Sequence, residues 1–270
     1  MTSSFLAFTS AHPAIILIDI VETQGSTPRE AGTFMLVAEN ATWGTIGGGQ
    51  LEFIVIRNAR DLLMGSGRAT MDIPLGPEIG QCCGGRAKLR FRRVTDDLMT
   101  ELKARHAEES AHLPEVYLFG AGHVGHALAA ALAQLPLFVT VVETRKEELA
   151  NLPPEAKTQL TPMPEALVKA MPAGSAVVIL THDHALDFLI AREALARTDL
   201  AYTGMIGSTT KRATFANWLS REGGERNWLD RLTLPIGGSA VRDKRPEVIA
   251  AMTAAEILTA LSAYRQRSLS

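Results

Sequence analysis

Both cysteines of this 270-residue chain stand side by side, in Gly80-Gln81-Cys82-Cys83-Gly84-Gly85-Arg86. A thiolate is a nucleophile and a ligand for soft metals, so this pair is the first candidate for chemistry. A bridge between the two would be strained. Neighbouring Cα atoms lie about 3.8 Å apart across a trans peptide, whereas disulfides usually span about 4.4–6.8 Å. A structural zinc site asks for about four N or S ligands in spaced pairs, and there is no second cysteine pair. Two readings stay open: reactive free thiols, or small buried hydrophobes.

Two more loops near the N-terminus share the glycine-rich character, Gly25-Ser26-Thr27-Pro28-Arg29 and Gly47-Gly48-Gly49-Gln50-Leu51-Glu52. Glycine lets a backbone approach a ligand closely. Arg29, Glu52, Gln81 and Arg86 bring polar groups to the same loops. Thiols beside such loops suit a soft metal centre or a sulfur-bearing ligand.

A second group of residues suits phosphate. Gly120-Ala121-Gly122-His123-Val124-Gly125 has the G-x-G-x-x-G spacing. It follows a strand-like run, Glu115–Phe119, and opens an apolar helix, Val124–Leu135. The next strand, Phe138–Val142, leads into Glu143, where a dinucleotide-binding domain places its ribose-binding carboxylate. The helix start offers free N–H groups to a phosphate. His123 is either a surface residue or an imidazole kept neutral by the helix dipole. In Thr181-His182-Asp183-His184, with Asp187 nearby, the polar groups are either metal ligands or a helix cap with surface histidines. Gly207-Ser208-Thr209-Thr210-Lys211-Arg212 offers hydroxyls and two cations to an anion, or simply caps a helix. Arg242, Lys244 and Arg245 precede a helix over Pro246–Ala260 and form either a solvated face or a phosphate or partner contact.

The elements that must position these loops fall into two patterns. The first half reads as strands at Ala14–Val21, Thr33–Val37, Trp43–Ile46 and Ala87–Val94, with a helix over Gln50–Leu63: a small α+β domain over residues 1–102. The polar stretch 103–113 reads as a linker. From residue 114 to 270 strands alternate with helices, with further strands at Ala176–Leu180 and Ala201–Ile206. That pattern implies a doubly wound, Rossmann-like parallel sheet. The fold class is therefore α/β, a small α+β domain followed by a Rossmann-like one.

A net charge of −2 gives no basic field for nucleic acid. The Ala-rich helical segments contain no clean apolar run of membrane-spanning length. The first residues lack the basic region of a secretory signal, and adjacent cysteines give no disulfide framework. These features point to the cytoplasm, where thiols stay reduced.

Taken in order, GSTPREAG, GTIGGGQLE, GQCCGG, LFGAGHVG, THDHALD, GMIGSTTKR and PIGG resemble the XdhC/CoxI family, in its branch of xanthine dehydrogenase accessory proteins. The likeness covers about Val21 to Ala260. It implies an accessory protein, not an enzyme. Such a protein binds molybdenum cofactor (molybdopterin), holds it while a cysteine desulfurase supplies a sulfido ligand, and aids its insertion into the cofactor-binding subunit of xanthine dehydrogenase. It also implies frequent dimerisation. Cys83 matches the family-wide cysteine. On this reading Cys82 and Cys83 face the molybdenum, with Gln81, Gly84, Gly85, Arg29, Gly47, Gly48, Gly49 and Glu52 around the cofactor. Gly120, Gly122, His123, Gly125, Glu143, Arg145, Ser208 and Lys211 are the further cofactor-binding candidates, with the helix start at Gly122–Gly125 or at Ser208–Lys211 for the phosphate. In place of the second Ile-Gly usual after PIG, this chain has GGSAVRDKRPE. The rival reading is an oxidoreductase that uses the glycine motif for NAD(P). A third is a purely structural partner of an oxidoreductase complex.

Overall fold

The structure, a computed structural model, describes residues 2–77 and 84–269. The chain divides into two compact units, Met1–Ala111 and His112–Ser270.

The first unit contains α1 (Thr2–Ala11), β1 (Ile16–Gln24), β2 (Phe34–Val37), β3 (Thr42–Gly44), α2 (Gly49–Leu63), β4 (Thr70–Pro74), β5 (Arg86–Arg93) and α3 (Asp96–Ala111). Its strands form an antiparallel sheet in the order β3-β2-β1-β5-β4. Successive side chains of a strand point to opposite faces. Ile16, Ile18 and Ile20 share a core with Leu51 and Val55 of α2, while Ile15 and Leu17 pack with Phe5 of α1 and Leu102 of α3. Apolar side chains on both faces of the first part of β1 thus call for helices on both sides. Asp19 is largely buried and accepts from Arg92 at 3.0 Å and Arg90 at 3.3 Å, both on the neighbouring β5.

The stretch 103–113, expected as a linker, is helical as far as Ala111. Leu102 and His106, four residues apart, lie on one buried face, and the polar residues between them are the solvent side of α3. His106 packs against Phe5, with ring centroids 4.4 Å apart, and its Nε2 has no partner among the described residues. The expected strand Trp43–Ile46 is β3, ending at Gly44, and β4 is an edge strand that the sequence reading lacked.

The second unit contains β6 (Glu115–Phe119), α4 (His123–Leu132), β7 (Phe138–Glu143), β8 (Lys157–Leu160), α5 (Pro164–Leu167), β9 (Ala176–Ile179), α6 (His184–Ala196), β10 (Tyr202–Met205), α7 (Thr209–Arg221), β11 (Leu232–Thr233) and α8 (Pro246–Leu269). Its sheet is parallel throughout, in the order β11-β10-β9-β6-β7-β8. This is the doubly wound order, with the chain reversing direction between β6 and β9. One face packs on α4 and α8, the other on α6 and α7. Helix α8 runs beyond the expected Ala260. By length and composition it is, among the described residues, the one helix able to cross a membrane. Its Ala250, Ala254, Ile257 and Leu261 are buried in one core with Leu128 and Leu132 of α4.

Burial pushes the His106 imidazole below its ordinary value, against an opposing pull from Glu109. A base depressed by folding contributes stability that is full above its unfolded value and lost as pH falls through it. The urea midpoint of the wild type should therefore drop more between about pH 7 and 5 than that of His106→Leu. Equal slopes for the two proteins would remove His106 from the acid sensitivity.

Candidate functional site

The three glycine loops of the first unit converge. Ser26 and Gly84 form a parallel bridge. A β-carbon on Gly85 would stand 2.1 Å from the Ser26 carbonyl oxygen, and one on Gly25 would stand 3.3 Å from Gly85 Cα. On the other side of the same turn, a β-carbon on Gly47 would stand 2.5 Å from Pro28 Cγ. The turn Gly25–Arg29 is thus held between the glycine run and the glycine pair that follows the cysteines. Gly47, Gly48 and Gly49 all have positive φ, at 138°, 74° and 61°, a conformation that side chains other than glycine's resist.

Glu52, in the first turn of α2, organises that run. Its Oε1 accepts from the N–H of Ile46 at 3.1 Å, from the N–H of Gly48 at 3.0 Å and from the Thr45 hydroxyl. Gly84 and Gly85 are tied to Leu75 by backbone bonds of 2.9 and 2.8 Å. Three residues after Ser26 in the same turn, Arg29 is exposed, and its guanidinium has no side-chain partner among the described residues. Gln81, Cys82 and Cys83 lie outside the described residues. Pro28 is a residue that the sequence reading passed over. Its role depends on which loop meets it, and no local pattern encodes that.

In the second unit the expected motifs lie where β6, β7, β9 and β10 end. Gly120 has φ 110°, and a β-carbon there would meet the Leu180 carbonyl oxygen at 2.5 Å; one on Gly125 would meet the Gly120 oxygen at 2.2 Å. Both glycines are needed for the turn to close against the end of β9 and the start of α4. Gly122 has open space beside it, and His123 is exposed.

Glu143 is not presented to a ligand. It is 4% exposed. Its Oε2 accepts from the N–H of Ala121 at 2.9 Å, and its Oε1 from the N–H groups of Thr144 and Arg145 at 2.8 and 3.2 Å. The Arg145 guanidinium lies 3.4 Å away and also pairs with Glu148 at 3.1 Å. Burial opposes ionisation of Glu143. The donors from Ala121, Arg145 and Thr144 outweigh it and hold the carboxyl down at about 2. Both oxygens are spent on the glycine turn and the residues after β7, which leaves little capacity for ribose hydroxyls.

Lys211 also points inward. Its Nζ donates to fully buried Asp187 and, at 2.9 Å, to the Ile206 carbonyl. Asp187 accepts as well from the Thr181 N–H and hydroxyl, at 3.1 and 2.7 Å. Arg212 donates to the carbonyls of Leu229 and Leu232. Neither cation of the anion-site candidate therefore faces solvent as a free charge. Ser208 caps α7 by accepting from the Lys211 N–H at 3.3 Å, and Asp183 caps α6 by accepting from Ala185 at 2.8 Å. The capping alternatives describe both loops. Among the described residues no three acidic, His or Cys side chains gather as a metal set.

Glu143→Ala should cost about 2–4 kcal/mol, since it strands the buried Ala121 donor and removes hydrogen bonds to a charged acceptor. The contribution of Glu143 is present above the ordinary carboxyl value near 4.5 and is lost as pH falls toward about 2. Chemical denaturation near neutral pH checks it. A loss under about 0.5 kcal/mol, the range of ordinary surface substitutions, would contradict the assigned network.

Residues 116–257 match the family model described as the XdhC Rossmann domain, and residues 9–73 match the XdhC and CoxI family. The chain is 29% identical over 257 residues to the uncharacterized protein YqeB of Escherichia coli (strain K12). That alignment takes in 90% of this chain but only 42% of YqeB. A crystal structure described as a xanthine dehydrogenase from Bacillus halodurans superposes with a TM-score of 0.78 at 17% identity, covering 97% of this chain and 96% of that one. At that identity the likeness is one of fold. The two family matches, one in each unit and in the order read from the motifs, place this chain in the XdhC/CoxI family.

Proposed function

We propose that this chain is a maturation factor for xanthine dehydrogenase. In this reading it takes molybdenum cofactor as cargo, holds it while a cysteine desulfurase supplies sulfur, and hands it to the enzyme's cofactor-binding subunit. It acts in the cytoplasm as a homodimer and is not itself a catalyst. Family membership supports the maturation role. The observation that carries the cargo assignment is the convergence of Gly25–Arg29, Gly47–Gly49 and Gly84–Gly85 in the first unit.

The residues fit the group. A cofactor with a pyranopterin, a phosphate and a dithiolene-bound metal asks for close backbone approach, a cation and a soft donor. The glycines supply the first and the exposed Arg29 guanidinium the second. Cys82 and Cys83, the residues before Gly84 in sequence, supply thiols for a soft metal. The role of the chain is to bind and to shield; the sulfur comes from the desulfurase.

Dinucleotide binding at the glycine turn of the second unit is the weaker reading. The acid that would hold a ribose is buried and occupied by its own loop.

Purified protein incubated anaerobically with molybdenum cofactor and then gel filtered should retain pterin and molybdenum in equal amounts. Cys83→Ala should lose both while keeping its circular dichroism. Retention unchanged in Cys83→Ala would refute the thiol assignment, and no retention by the wild type would refute the cargo.

A further inference from the structure

The segment Gly238–Arg245, unused by the reading above, borders a cleft in the second unit. The cleft encloses about 770 Å³ between the loop after β10, the loop after β11 and the first turns of α8. Small-molecule pockets run from about 300 to 1,000 Å³. Ligands of open α/β sheets sit at the carboxyl ends of the strands, and β10 and β11 both end here.

The cleft is built rather than incidental. Gly237 and Gly238 turn with φ of 76° and 64°. The Gly237 N–H donates to Glu256 Oε2 of α8 at 3.0 Å, and the same oxygen accepts from the buried Tyr202 hydroxyl at 2.8 Å. Strand β10, the turn and α8 are thereby held together around one carboxylate. Ile206, Ile236, Val248 and Met252 give the walls an apolar character.

The charge on the lining is one-sided. Asp243 and Arg245 neutralise each other through a fork of 2.6 to 3.1 Å. Arg245 lies outside the lining; of the charged residues that line the cleft, Arg242, Asp243 and Lys244, the two cations have no side-chain partner among the described residues. Apolar walls with two uncompensated cations select a ligand with a ring body and a multiply charged anionic group. Phosphate meets that need better than a single carboxylate.

We propose that this cleft is a second small-molecule site, for a phosphorylated heteroaromatic compound, with Arg242 and Lys244 on the phosphate and the ring between α8 and the loop after β10. The proposal goes beyond cofactor carriage by the first unit, and either can fail alone.

The test titrates the full chain with 6-hydroxymethylpterin phosphate and, separately, with guanosine monophosphate. Saturable binding of either probe is expected, weaker by about tenfold or more for the dephosphorylated compound. The Arg242→Gln/Lys244→Gln double variant should lose a similar factor, and Val248→Trp, which fills the cleft, should lose at least as much. Binding of the pterin alone identifies a pterin phosphate as the ligand, and binding of the nucleotide identifies a nucleotide; both support the site. No binding of either probe to the wild type, or binding that the double variant leaves unmoved, overturns it.

Discussion

The first unit depends on the approach of Gly85 to the Ser26 carbonyl. The distance left there accommodates a hydrogen and nothing larger. The approach joins the end of β1 to the start of β5, whose register already pairs Gln24 with Arg86. The turn that begins at Gly25 is then committed to one path, and Pro28 is carried against Gly47. Three loops far apart in sequence become one surface because three side chains are missing. Glu52 adds the electrostatic half of the constraint by gathering the N–H groups of Ile46 and Gly48 onto one carboxylate oxygen.

The second unit is held at its strand ends by a different device. Glu143 and Asp187 are buried acids, and each ties a strand end to its neighbours. Losing either partner of such a contact is costly because a charge or donor stays behind in a low dielectric. Ionic groups used this way fix the geometry of the loops and are no longer available to a ligand. The contrast lies one strand further out, where Arg242 and Lys244, without side-chain partners among the described residues, line a partly apolar cleft.

Much of the fold was legible because burial leaves a pattern. Strand β9 is buried on both faces and the sequence carries that as an unbroken apolar run, while β1, β6 and β10 are mostly apolar where they are buried. Strands β4, β8 and β11 were missed because edge strands bury few side chains and retain polar ones, as in Lys157-Thr158-Gln159. The later part of helix α3, from residue 103, reads as a linker because two buried side chains in sixteen residues give almost no periodic signal. For the site, the glycine positions were legible and their partners were not. Nothing local to Gly47 announces Pro28, and nothing local to Lys211 announces that Asp187 will take its charge. Long-range pairings decide whether a polar residue faces a ligand or the core.

We propose that the converged loops of the first unit receive the metal-bearing cargo. Hydrogen exchange read by mass spectrometry, with and without molybdenum cofactor under anaerobic conditions, tests it most directly. Peptides covering residues 25–32, 45–52 and 76–86 should all gain protection together on cofactor addition, as expected for loops that close on one ligand. Protection confined to peptides of the second unit, or none at all with the cofactor present in excess, would contradict the account.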